Sequence, residues 1–521
     1  MRKEIEISLL PSNAFSYGAQ LVASADKLKI HPEEISAVVI KRRSVDARSK
    51  NPTFILLVDV YINESPHAES KEIIYKLVTG NKKVIVIGFG PAGIYAALRL
   101  IELNIKPIVI ERGKDVQERR RDLKAIQQDG IVNPDSNYCF GEGGAGAYSD
   151  GKLYTRSTKR GDIKKTLNIL VQHGAEDDIL IDSHPHIGSN NLPKVVKAIR
   201  ETILRCGGEI NLNSRVTGIM IDNQTIKGVR VNDKDEFLAD AVILAAGHSA
   251  RDIYYLLHQN GVLIEPKPFA MGVRIEHPQQ LINEMQYHSN NYDKNLPTAS
   301  YSLACNVDGR GVYSFCMCPG GIMVPAATAP GEIVLNGMSL SRRDSLFANS
   351  GLVVSVDEND WQKYSSAYPF SGLLLQQEVE QLAFNLANQT QRAPAQRITD
   401  FVHDIVSDTL PSTSYIPGLT SSALHEKLPE FMTKNLKLAI LESKKKKPGY
   451  YTEEALIAAV ESRTSSPIRI PRGKESFMHT QIKGLFPAGE GAGYSGGIVS
   501  SAIDGENCAD GVNIFLNMGS K

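Results

Sequence analysis

The sequence predicts an α/β protein built around a parallel β-sheet, and three observations support that class. Residues 83–87, 107–110 and 241–244 are short runs rich in apolar, often β-branched side chains, as buried strands require. Apolar residues recur three and four positions apart through residues 94–101, as on one face of a helix. A strand, a helix and a second strand in this order are typical of a βαβ unit with parallel strands.

The turn after the first strand carries a dinucleotide-binding pattern, G-x-G-x-x-G, and an acid closes the second strand. The first glycine permits the tight turn, the second lets the backbone approach a pyrophosphate, and the third lets the helix pack close to the strand. The helix N-terminus offers unpaired N–H groups to phosphates. The acid, Glu111, can accept a hydrogen bond from a ribose hydroxyl. The predicted cofactor contacts of this unit are Gly88, Gly90, Pro91, Ala92, Gly93, Glu111 and Arg112.

Composition excludes several other classes of protein. The 58 basic and 58 acidic residues give zero net charge, which argues against a general role at nucleic acid or a membrane surface. No apolar run approaches the ~20 residues that a membrane helix needs. Six cysteines in 521 residues do not make a disulfide framework, and no secretory segment is recognised near Met1. We expect a cytoplasmic protein.

Residues 1–80 precede the dinucleotide unit and predict a small α+β domain. Strands are expected at residues 5–9, 35–41 and 54–62, with a helix over residues 18–28. The connection over residues 42–48 contains three arginines, which form either an anion-binding edge or a solvated strand end.

A glycine-rich stretch over residues 140–153 follows a charged helix that we expect at residues 116–128, with Arg119 on its solvated face. Five glycines in this stretch predict an irregular loop whose backbone N–H groups suit a phosphate or a flat ring. The alternative is a flexible lid that touches no cofactor. The predicted contacts are Gly143, Gly144, Ala145, Ser149, Asp150, Gly151 and Lys152.

Two further strands are expected to bring small residues to the same ligand. Residues 209–212, 216–222 and 228–231 predict an antiparallel insert, with Val216 at its start. The buried strand at residues 241–244 then ends in small residues, which place bare backbone beside a ligand. The predicted contacts here are Val216, Ala245, Ala246 and Gly247. His184 and His186 are interpreted as structural or substrate-facing, with no metal site, and His248 as a hydrogen-bonded structural residue and not a catalyst.

Residues 255–470 have mixed patterns and predict a substrate or cap domain. Cys316 and Cys318 are expected on the same side of a strand, as a redox pair or as buried packing residues. Arg463 and Arg469 either fix an anionic substrate or the edge of the cofactor ring, or form surface salt bridges.

The last motif spans residues 484–498, where a strand again ends in small residues and a helix begins. This second helix N-terminus would stabilise negative charge on a reduced cofactor ring. Glu490 would hold the polar ribityl chain of a flavin cofactor. Its predicted contacts are Gly489, Glu490, Gly496, Gly497 and Ile498.

Together these motifs resemble FAD-dependent oxidoreductases with the glutathione-reductase type of FAD domain. The chain is similar in particular to the bacterial NAD(FAD)-utilising dehydrogenases, over most of its length. The stretches that carry this likeness are residues 143–152, 316–321 and 463–467. The resemblance implies bound FAD and a redox role. Ala245-Ala246-Gly247 stands where many relatives have Ala-Thr-Gly, which loses a hydroxyl but keeps the backbone contact.

We therefore expect three domains. Residues 1–80 form the small N-terminal domain, residues 81–254 and 471–521 form a discontinuous Rossmann-type FAD-binding domain, and residues 255–470 form the inserted α+β substrate or cap domain. Three separate glycine-containing segments favour FAD over a single nicotinamide nucleotide.

The predicted activity is that of an FAD-dependent oxidoreductase, which passes a hydride between FAD and a small-molecule substrate. Because the chain has no second G-x-G-x-x-G over residues 255–470, NAD(P)H is expected only as a transient donor. The alternative is an RNA- or protein-linked flavoprotein whose N-terminal domain is a binding module; the neutral net charge argues against nucleic acid.

Overall fold

The computed structural model describes residues 1–66, 72–155 and 161–518, and it has two large sheets and four smaller ones within those residues. The N-terminal sheet is antiparallel, with the strand order β1-β3-β2 and one helix packed on it. Its elements are β1 (Arg2–Leu9), α1 (Tyr17–Leu28), β2 (Ile35–Asp46) and β3 (Thr53–Ile62). The predicted α+β pattern is present here, although the arginines expected in a connection lie largely within β2.

The predicted nucleotide-binding region follows in the chain. Its elements are β4 (Lys83–Ile87), α2 (Pro91–Glu102), β5 (Lys106–Ile110), α3 (Arg119–Gln128), α4 (Ile163–Gln172), α5 (Leu192–Arg205), β6 (Glu209–Asn211), β7 (Val216–Asp222), β8 (Thr225–Val231), β9 (Asp235–Leu238), β10 (Ala241–Leu244) and α6 (Arg251–Gln259). The strands β7, β8 and β9 form an antiparallel ribbon of their own.

The middle of the chain builds a seven-stranded sheet with the order β13-β14-β17-β12-β20-β18-β19. The elements of this region are β11 (Glu265–Pro266), β12 (Phe269–Pro278), α7 (Gln279–Tyr287), β13 (Ala304–Val307), β14 (Arg310–Cys318), β15 (Gly321–Pro325), β16 (Leu335–Ser339), β17 (Phe347–Val356), α8 (Ser371–Leu386), β18 (Ala393–Arg397), α9 (Ile398–Val402), β19 (Leu419–Ser421), α10 (Leu424–Lys427), α11 (Glu430–Lys446), β20 (Leu456–Glu461) and β21 (Ile468–Arg469). The strands β12 and β17 pair along their whole length.

The chain then returns to the nucleotide-binding region through β22 (Leu485–Pro487) and α12 (Ile498–Met518). The resulting parallel sheet has the order β22-β10-β4-β5-β6. The strand β6, which we predicted to belong to the antiparallel insert, pairs in parallel with β5 instead. That prediction was wrong because alternation within three residues does not tell a strand which neighbour it will pair with.

Both faces of the parallel sheet are buried, as its continuously apolar strands predict. Val84 and Val86 point into a core shared with α2 and α12, whereas Ile85 and Ile87 point into a core shared with the ribbon and α6. All four are at most 5% exposed, and burying such a side chain contributes about 1.5–3 kcal/mol. The sheet is therefore a rigid support for the turns at its carboxyl edge. Among the described residues, no helix combines the length and apolar character needed to cross a membrane.

Candidate active site

The glycine turn after β4 has the backbone geometry that its motif predicts. Gly88 has a φ of +96°, which favours glycine, and its N–H donates to the carbonyl of Ile110 at 2.8 Å. A Cβ on Gly93 would overlap the carbonyl oxygen of Gly88. Any side chain at position 93 would therefore push α2 away from the turn. Gly90 caps α2 without any side-chain hydrogen bond, so the helix N-terminus presents bare backbone.

The glycine-rich loop crosses directly over this turn. The N–H of Gly143 donates to the carbonyl of Phe89 at 2.8 Å, and a Cβ on Gly144 would lie 2.9 Å from Cα of Gly90. Gly143 and Gly144 have φ values of +82° and +58°, respectively. The loop is irregular except for a short 3-10 turn at Gly144–Gly146. Two backbones thus approach each other where neither carries a side chain.

The last glycine motif reaches the same place from the other end of the chain. The N–H of Ala488 donates to the carbonyl of Leu244 at 2.8 Å, continuing the pairing of β22 with β10. A Cβ on Gly489 would lie 2.9 Å from Cβ of Ala92, and one on Gly491 would lie 2.7 Å from the carbonyl oxygen of Gly247. The ends of β4, β10 and β22 therefore converge at one edge of the sheet.

Part of this edge is open. A Cβ built on Gly247, Gly496 or Gly497 would meet no atom within 4 Å, in contrast to the tightly packed glycines of the turns. Gly496 and Gly497 immediately precede α12, which begins at Ile498. We name this set the glycine cradle: the turn at 88–93, the loop at 143–146, and residues 245–247 and 489–497. Its uncapped helix ends and open backbone fit a dinucleotide with two phosphates.

Glu111 lies under the cradle and is 5% exposed. One carboxylate oxygen accepts from the N–H of Phe89 at 2.8 Å, and the other accepts from those of Gly113 and Gly141, each at 2.9 Å. A carboxylate offers about four acceptor positions, so one remains after these three bonds. Glu111 therefore holds the turn and the loop together, and its remaining acceptor position suits a hydrogen bond from a ribose hydroxyl.

Arg112 is held beside this acid by two carboxylates and a ring. Its guanidinium contacts Asp135 at 2.8 Å and Asp252 at 3.0 Å, and it lies 4.2 Å from the ring centroid of Phe140. Both aspartates, together with Val216, line a cavity of about 540 Å³. Arg112 thus lies beside both Glu111, its neighbour in the chain, and residues that line this cavity.

The polar residues of the glycine loop face residues 255–470, which we call the cap region, and not the cradle. Asp150 pairs with Arg343 at 2.6 Å and accepts from the hydroxyl of Ser339, while the ammonium group of Lys152 donates to the carbonyl of Met317. Burial alone would raise the pKa of Asp150, but Arg343 and Lys152 lower it below its ordinary value. These side chains were predicted to contact the cofactor; the structure engages them with the neighbouring strands.

The rest of the loop is held by its own backbone and by contacts with the neighbouring glycines. The hydroxyl of Ser149 donates to the carbonyl of Gly146 at 2.8 Å and accepts from the N–H of Gly151 at 3.0 Å. Ala145 lies within the 3-10 turn, in the part of the loop that crosses α2. The loop therefore offers the cradle backbone atoms more than side-chain heads.

His248 and Glu490 form a pair that the sequence interpretation missed. Nδ1 of the histidine lies 3.2 Å from a carboxylate oxygen of the glutamate, and their side chains are 13% and 28% exposed. Each residue directly follows a glycine of the cradle, Gly247 and Gly489, at the ends of adjacent strands. That shared position was the available signal, because parallel neighbours bring their carboxyl ends together.

Arg463 does not face a substrate site. Its guanidinium, 5% exposed, donates to Glu380 and Glu332 and to the hydroxyl of Thr328. Arg251 joins the same two glutamates at 2.7 and 2.9 Å. Burial opposes ionisation of Glu380, yet the two arginines lower its pKa to about 2. The predicted substrate contact is thus wrong for Arg463. The residue forms salt bridges, as the alternative stated, but these lie in the interior and not at the surface.

Arg469 stays at the surface of the described region. It pairs in a short antiparallel ladder with Glu265, and its guanidinium lies 5.7 Å from the ring centroid of Tyr494. The sequence could not separate it from Arg463, because both sit in one Arg-rich stretch.

Cys316 and Cys318 do not share a face of β14. The pairing of β14 with β17 shifts between Phe315 and Cys318, and Cys316 has a φ of +43°. This β-bulge leaves Cys316 exposed and Cys318 buried, so the expected alternation is broken. The guanidinium of Arg274, paired with Glu461, donates to the carbonyl of Cys316 at 2.8 Å and holds the bulge in place.

The exposed thiol faces a cavity of about 360 Å³ between the cradle and the seven-stranded sheet. Its described lining comprises Tyr154, Thr155, Phe315, Cys316, Gly496, Gly497, Val499 and Ser500. We name it the junction cavity. One wall is the start of α12 and the opposite wall is the bulge of β14, so a ring lying against the cradle and a second molecule beside it would meet here.

Arg119 corrects another prediction. It was expected on a solvated helix face, but it is fully buried beneath the glycine loop. Its guanidinium donates to the carbonyls of Asn137 at 2.7 Å and Glu142 at 3.0 Å, and it stacks 5.1 Å from the ring centroid of Tyr148. Nothing in the run of three arginines marks the first one as the buried support of the loop.

The two histidines before α5, interpreted as structural or substrate-facing, contact neighbouring residues of the protein. The ring of His184 stacks on Tyr154 with centroids 5.1 Å apart, and Nε2 of His186 lies 3.0 Å from the carbonyl oxygen of Ser341. Within the described ranges, no group of three or more His, Cys, Asp or Glu side chains is arranged to hold a metal ion.

Comparisons with known proteins agree with this architecture. Residues 82–252 match the pyridine nucleotide-disulphide oxidoreductase family, residues 268–464 match the FAD-dependent protein C-terminal domain-like family, and residues 1–61 match a domain of unknown function. A protein of Clostridium beijerinckii, described only as uncharacterised, is 42% identical over 505 residues, which cover 93% of each chain.

Three solved structures are similar at low identity. A geranylgeranyl bacteriochlorophyll reductase-like protein from Thermoplasma acidophilum is 12% identical, with 84% of this chain and 80% of that chain covered and a TM-score of 0.36. CtdE in complex with FAD is 10% identical, with 84% of each chain covered and a TM-score of 0.30. A glycine oxidase from Bacillus cereus is 13% identical, with 83% and 97% covered and a TM-score of 0.29.

The relative that matches along nearly the whole chain and the two adjoining oxidoreductase domains lead to one conclusion. This chain belongs to a family of FAD-dependent oxidoreductases that join a pyridine nucleotide-disulphide oxidoreductase-type domain to an FAD-dependent C-terminal-type domain.

Proposed function

We propose that the protein transfers a hydride between FAD lying along the glycine cradle and a small-molecule substrate that enters the junction cavity. The observation that carries the proposal is the convergence of three distant glycine segments on one edge of the parallel sheet, next to a cavity that Cys316 and Gly496 line from opposite sides. Bound FAD supplies the hydride acceptor and donor; the protein supplies orientation and charge.

Each part of the cradle suits one part of the cofactor. The pyrophosphate fits the uncapped start of α2 at Gly90, where the loop around Gly144 also offers backbone. Glu111 keeps one acceptor position for a ribose hydroxyl, and the 540 Å³ cavity beside Val216 suits the adenine end. Glu490, paired with His248, suits the hydroxyls of the ribityl chain.

The remaining residues would act on the flavin ring and the substrate. The start of α12 at Ile498 brings partial positive charge to the end of the cradle, which favours negative charge on a reduced ring. The cap region contributes Phe315 and Cys316 to the lining of the junction cavity, where the substrate would lie. A nicotinamide donor would use the same cavity transiently, since only the first βαβ unit carries the dinucleotide motif.

Anaerobic mixing tests this proposal. The purified protein, yellow with FAD, is mixed with NADH or NADPH in a stopped-flow instrument, and bleaching of the oxidised flavin band is followed. Candidate substrates are then added to the reduced or oxidised protein and screened for a change in that band. Bleaching by a donor or by a screened substrate is the expected result. A protein that takes up no FAD, or a bound flavin that no donor or substrate reduces, would contradict the proposal.

No specific observation favours an RNA-linked role. Arg43 is paired with Asp178 and Asp182, Arg48 is paired with Asp46, and Arg42 lies 4.0 Å from Glu6. The arginines of β2 thus have acidic neighbours already.

A further inference from the structure

We propose that the N-terminal sheet braces the substrate-side wall of the junction cavity, and that Arg43 is the positioning residue through which it does so. Arg43 acts through residues 181–188, which we name the brace segment. The mechanical part of this proposal stands on contacts alone, whereas its effect on flavin reduction rests on the proposed function.

The first step joins β2 to the brace segment. The N–H of Arg43 donates to the carbonyl of Ile181 at 2.7 Å, and the N–H of Ser183 donates to the carbonyl of Arg43 at 2.9 Å. The guanidinium adds ion pairs to Asp182 at 2.7 Å and Asp178 at 2.8 Å while its side chain is only 12% exposed. The edge of the N-terminal sheet is thus extended by a segment more than a hundred residues further along the chain.

The second step joins the brace segment to the end of the glycine loop. The N–H of Leu153 donates to the carbonyl of Pro185 at 2.9 Å, and the N–H groups of Ile187 and Gly188 donate to the carbonyls of Gly151 and Asp150 at 3.2 and 3.1 Å. Three backbone hydrogen bonds therefore hold residues 150–153 in a fixed register on the brace segment.

The third step reaches the cavity. The ring of His184 stacks on Tyr154, with centroids 5.1 Å apart and planes 22° from parallel. Tyr154 lines the junction cavity together with Gly496 and Gly497. A charged pair at the edge of β2 is in this way connected to a ring on the wall where the substrate would lie.

The neighbouring arginines make the assignment specific. Arg42 is over half exposed, 4.0 Å from Glu6 of the same sheet. Arg48, two residues past the end of β2, pairs with Asp46, the last residue of that strand, and is 90% exposed. Within the part of the chain that the structure describes, only Arg43 of these three arginines is paired with acids outside the N-terminal sheet. An arginine that merely stabilised the sheet would have no need of partners on the brace segment.

Hydrogen–deuterium exchange of the full chain with bound FAD tests the mechanical step. We expect Arg43→Ala to raise exchange of the amides of Leu153, Ile187 and Gly188 by roughly tenfold, because losing hydrogen bonds to charged groups lowers the cost of local opening. Arg43→Lys should recover part of the protection. Asp182→Asn removes one pair from the other side without altering the N-terminal sheet and should act in the same direction.

The matched control is Arg48→Ala, which removes the ion pair between Arg48 and the last residue of β2 and should leave those three amides unchanged. Unaltered exchange in both Arg43→Ala and Asp182→Asn would overturn the proposal. So would an equal rise in Arg48→Ala, because that would indicate general loosening of the N-terminal sheet.

Flavin reduction supplies the second measurement. With whichever donor the stopped-flow experiment identifies, we expect Arg43→Ala to lower the limiting rate of flavin reduction about tenfold. FAD retention should equal that of the wild type, since Arg43 touches no residue of the cradle. An unchanged limiting rate would overturn the kinetic part. If no donor reduces the wild-type flavin, the proposed function fails, while the exchange comparison still decides whether the brace exists.

Discussion

The glycine cradle and the seven-stranded sheet build their parts of the site in opposite ways. The cradle depends on the absence of side chains: Gly88, Gly93 and Gly491 let backbones approach to distances that no Cβ would allow. The cap region works by burying charges: Arg463 pairs there with two glutamates, which Arg251 of α6 also contacts, and Arg274 pairs with Glu461. The first kind of site is specified by local steric demands, the second by partners that the fold brings together.

This difference predicts which substitutions remove the cofactor and which remove stability. In the cradle, a small added group should cost FAD binding. In the cap region, a change of charge should cost folding free energy and leave the geometry of the cradle intact. Three experiments test the contrast, taken from the largest expected effect to the smallest.

Gly93→Val should have the largest effect. The new Cβ overlaps the carbonyl oxygen of Gly88, so α2 must move off the turn, at a cost of about 3 kcal/mol or more. We expect loss of bound FAD, read from the flavin absorbance per protein, together with a lower melting temperature. Gly18→Ala is the control, because its Cβ would meet only the hydroxyl of Ser16 at 3.9 Å and should leave both values near wild type. Retention of FAD by Gly93→Val would break the comparison.

Glu380→Gln should destabilise the cap region by about 3–5 kcal/mol, since it leaves two buried arginines short of a negative charge. The folded-state pKa of Glu380 is lowered to about 2 from its ordinary 4.5, so its stabilising contribution is present above pH 4.5 and is lost as pH falls toward 2. Urea unfolding at several pH values should therefore show the gap to wild type narrowing in that window.

The exposed pair of Arg230 and Glu236 supplies the control for this measurement. Glu236→Gln should cost no more than about 1 kcal/mol, because both side chains are about half exposed. A Glu380→Gln protein that loses FAD without losing stability would show that the buried charges serve the cofactor directly.

Glu111→Gln should have the smallest effect of the three. It sharpens the comparison because Glu111 is the side chain that holds the turn and the loop of the cradle together. The amide keeps one acceptor oxygen but brings a donor toward the N–H groups that the carboxylate now binds. We expect FAD affinity to fall roughly tenfold to a hundredfold, the range of a hydrogen bond to a charged group. Titration of the apoprotein with FAD measures it, with the exposed Glu118→Gln as control; an unchanged affinity would remove Glu111 from the site.

What could be predicted from the sequence follows the same division between the glycine cradle and the buried charges. The turn at Gly88, the helix after it and the meeting of Gly489 with Ala92 were predictable, because each depends on a steric rule that acts within a few residues or at the ends of adjacent strands. The burial and the partners of individual polar residues were not predictable. Arg119 and Arg120 are neighbours of the same type, yet the first is fully buried and the second exposed.

Irregularities of strand pairing were equally unpredictable from the sequence. The bulge that separates Cys316 from Cys318 depends on Arg274, which comes from another strand. The strand β6 joined the parallel sheet because β5 offered it an edge, and three residues carry too little pattern to predict that choice.

The amino-acid sequence alone therefore determined the strand–glycine–helix unit, its acid, the two later segments of small residues and the cofactor class that follows from them. Backbone sterics act locally, so they leave a readable pattern. Only the tertiary structure decided that Arg463 lies between Glu332 and Glu380, that His248 meets Glu490, and that Arg43 supports the segment behind Tyr154. Charged groups can pair with any opposite charge that folding brings near, and no local rule selects a partner many residues away.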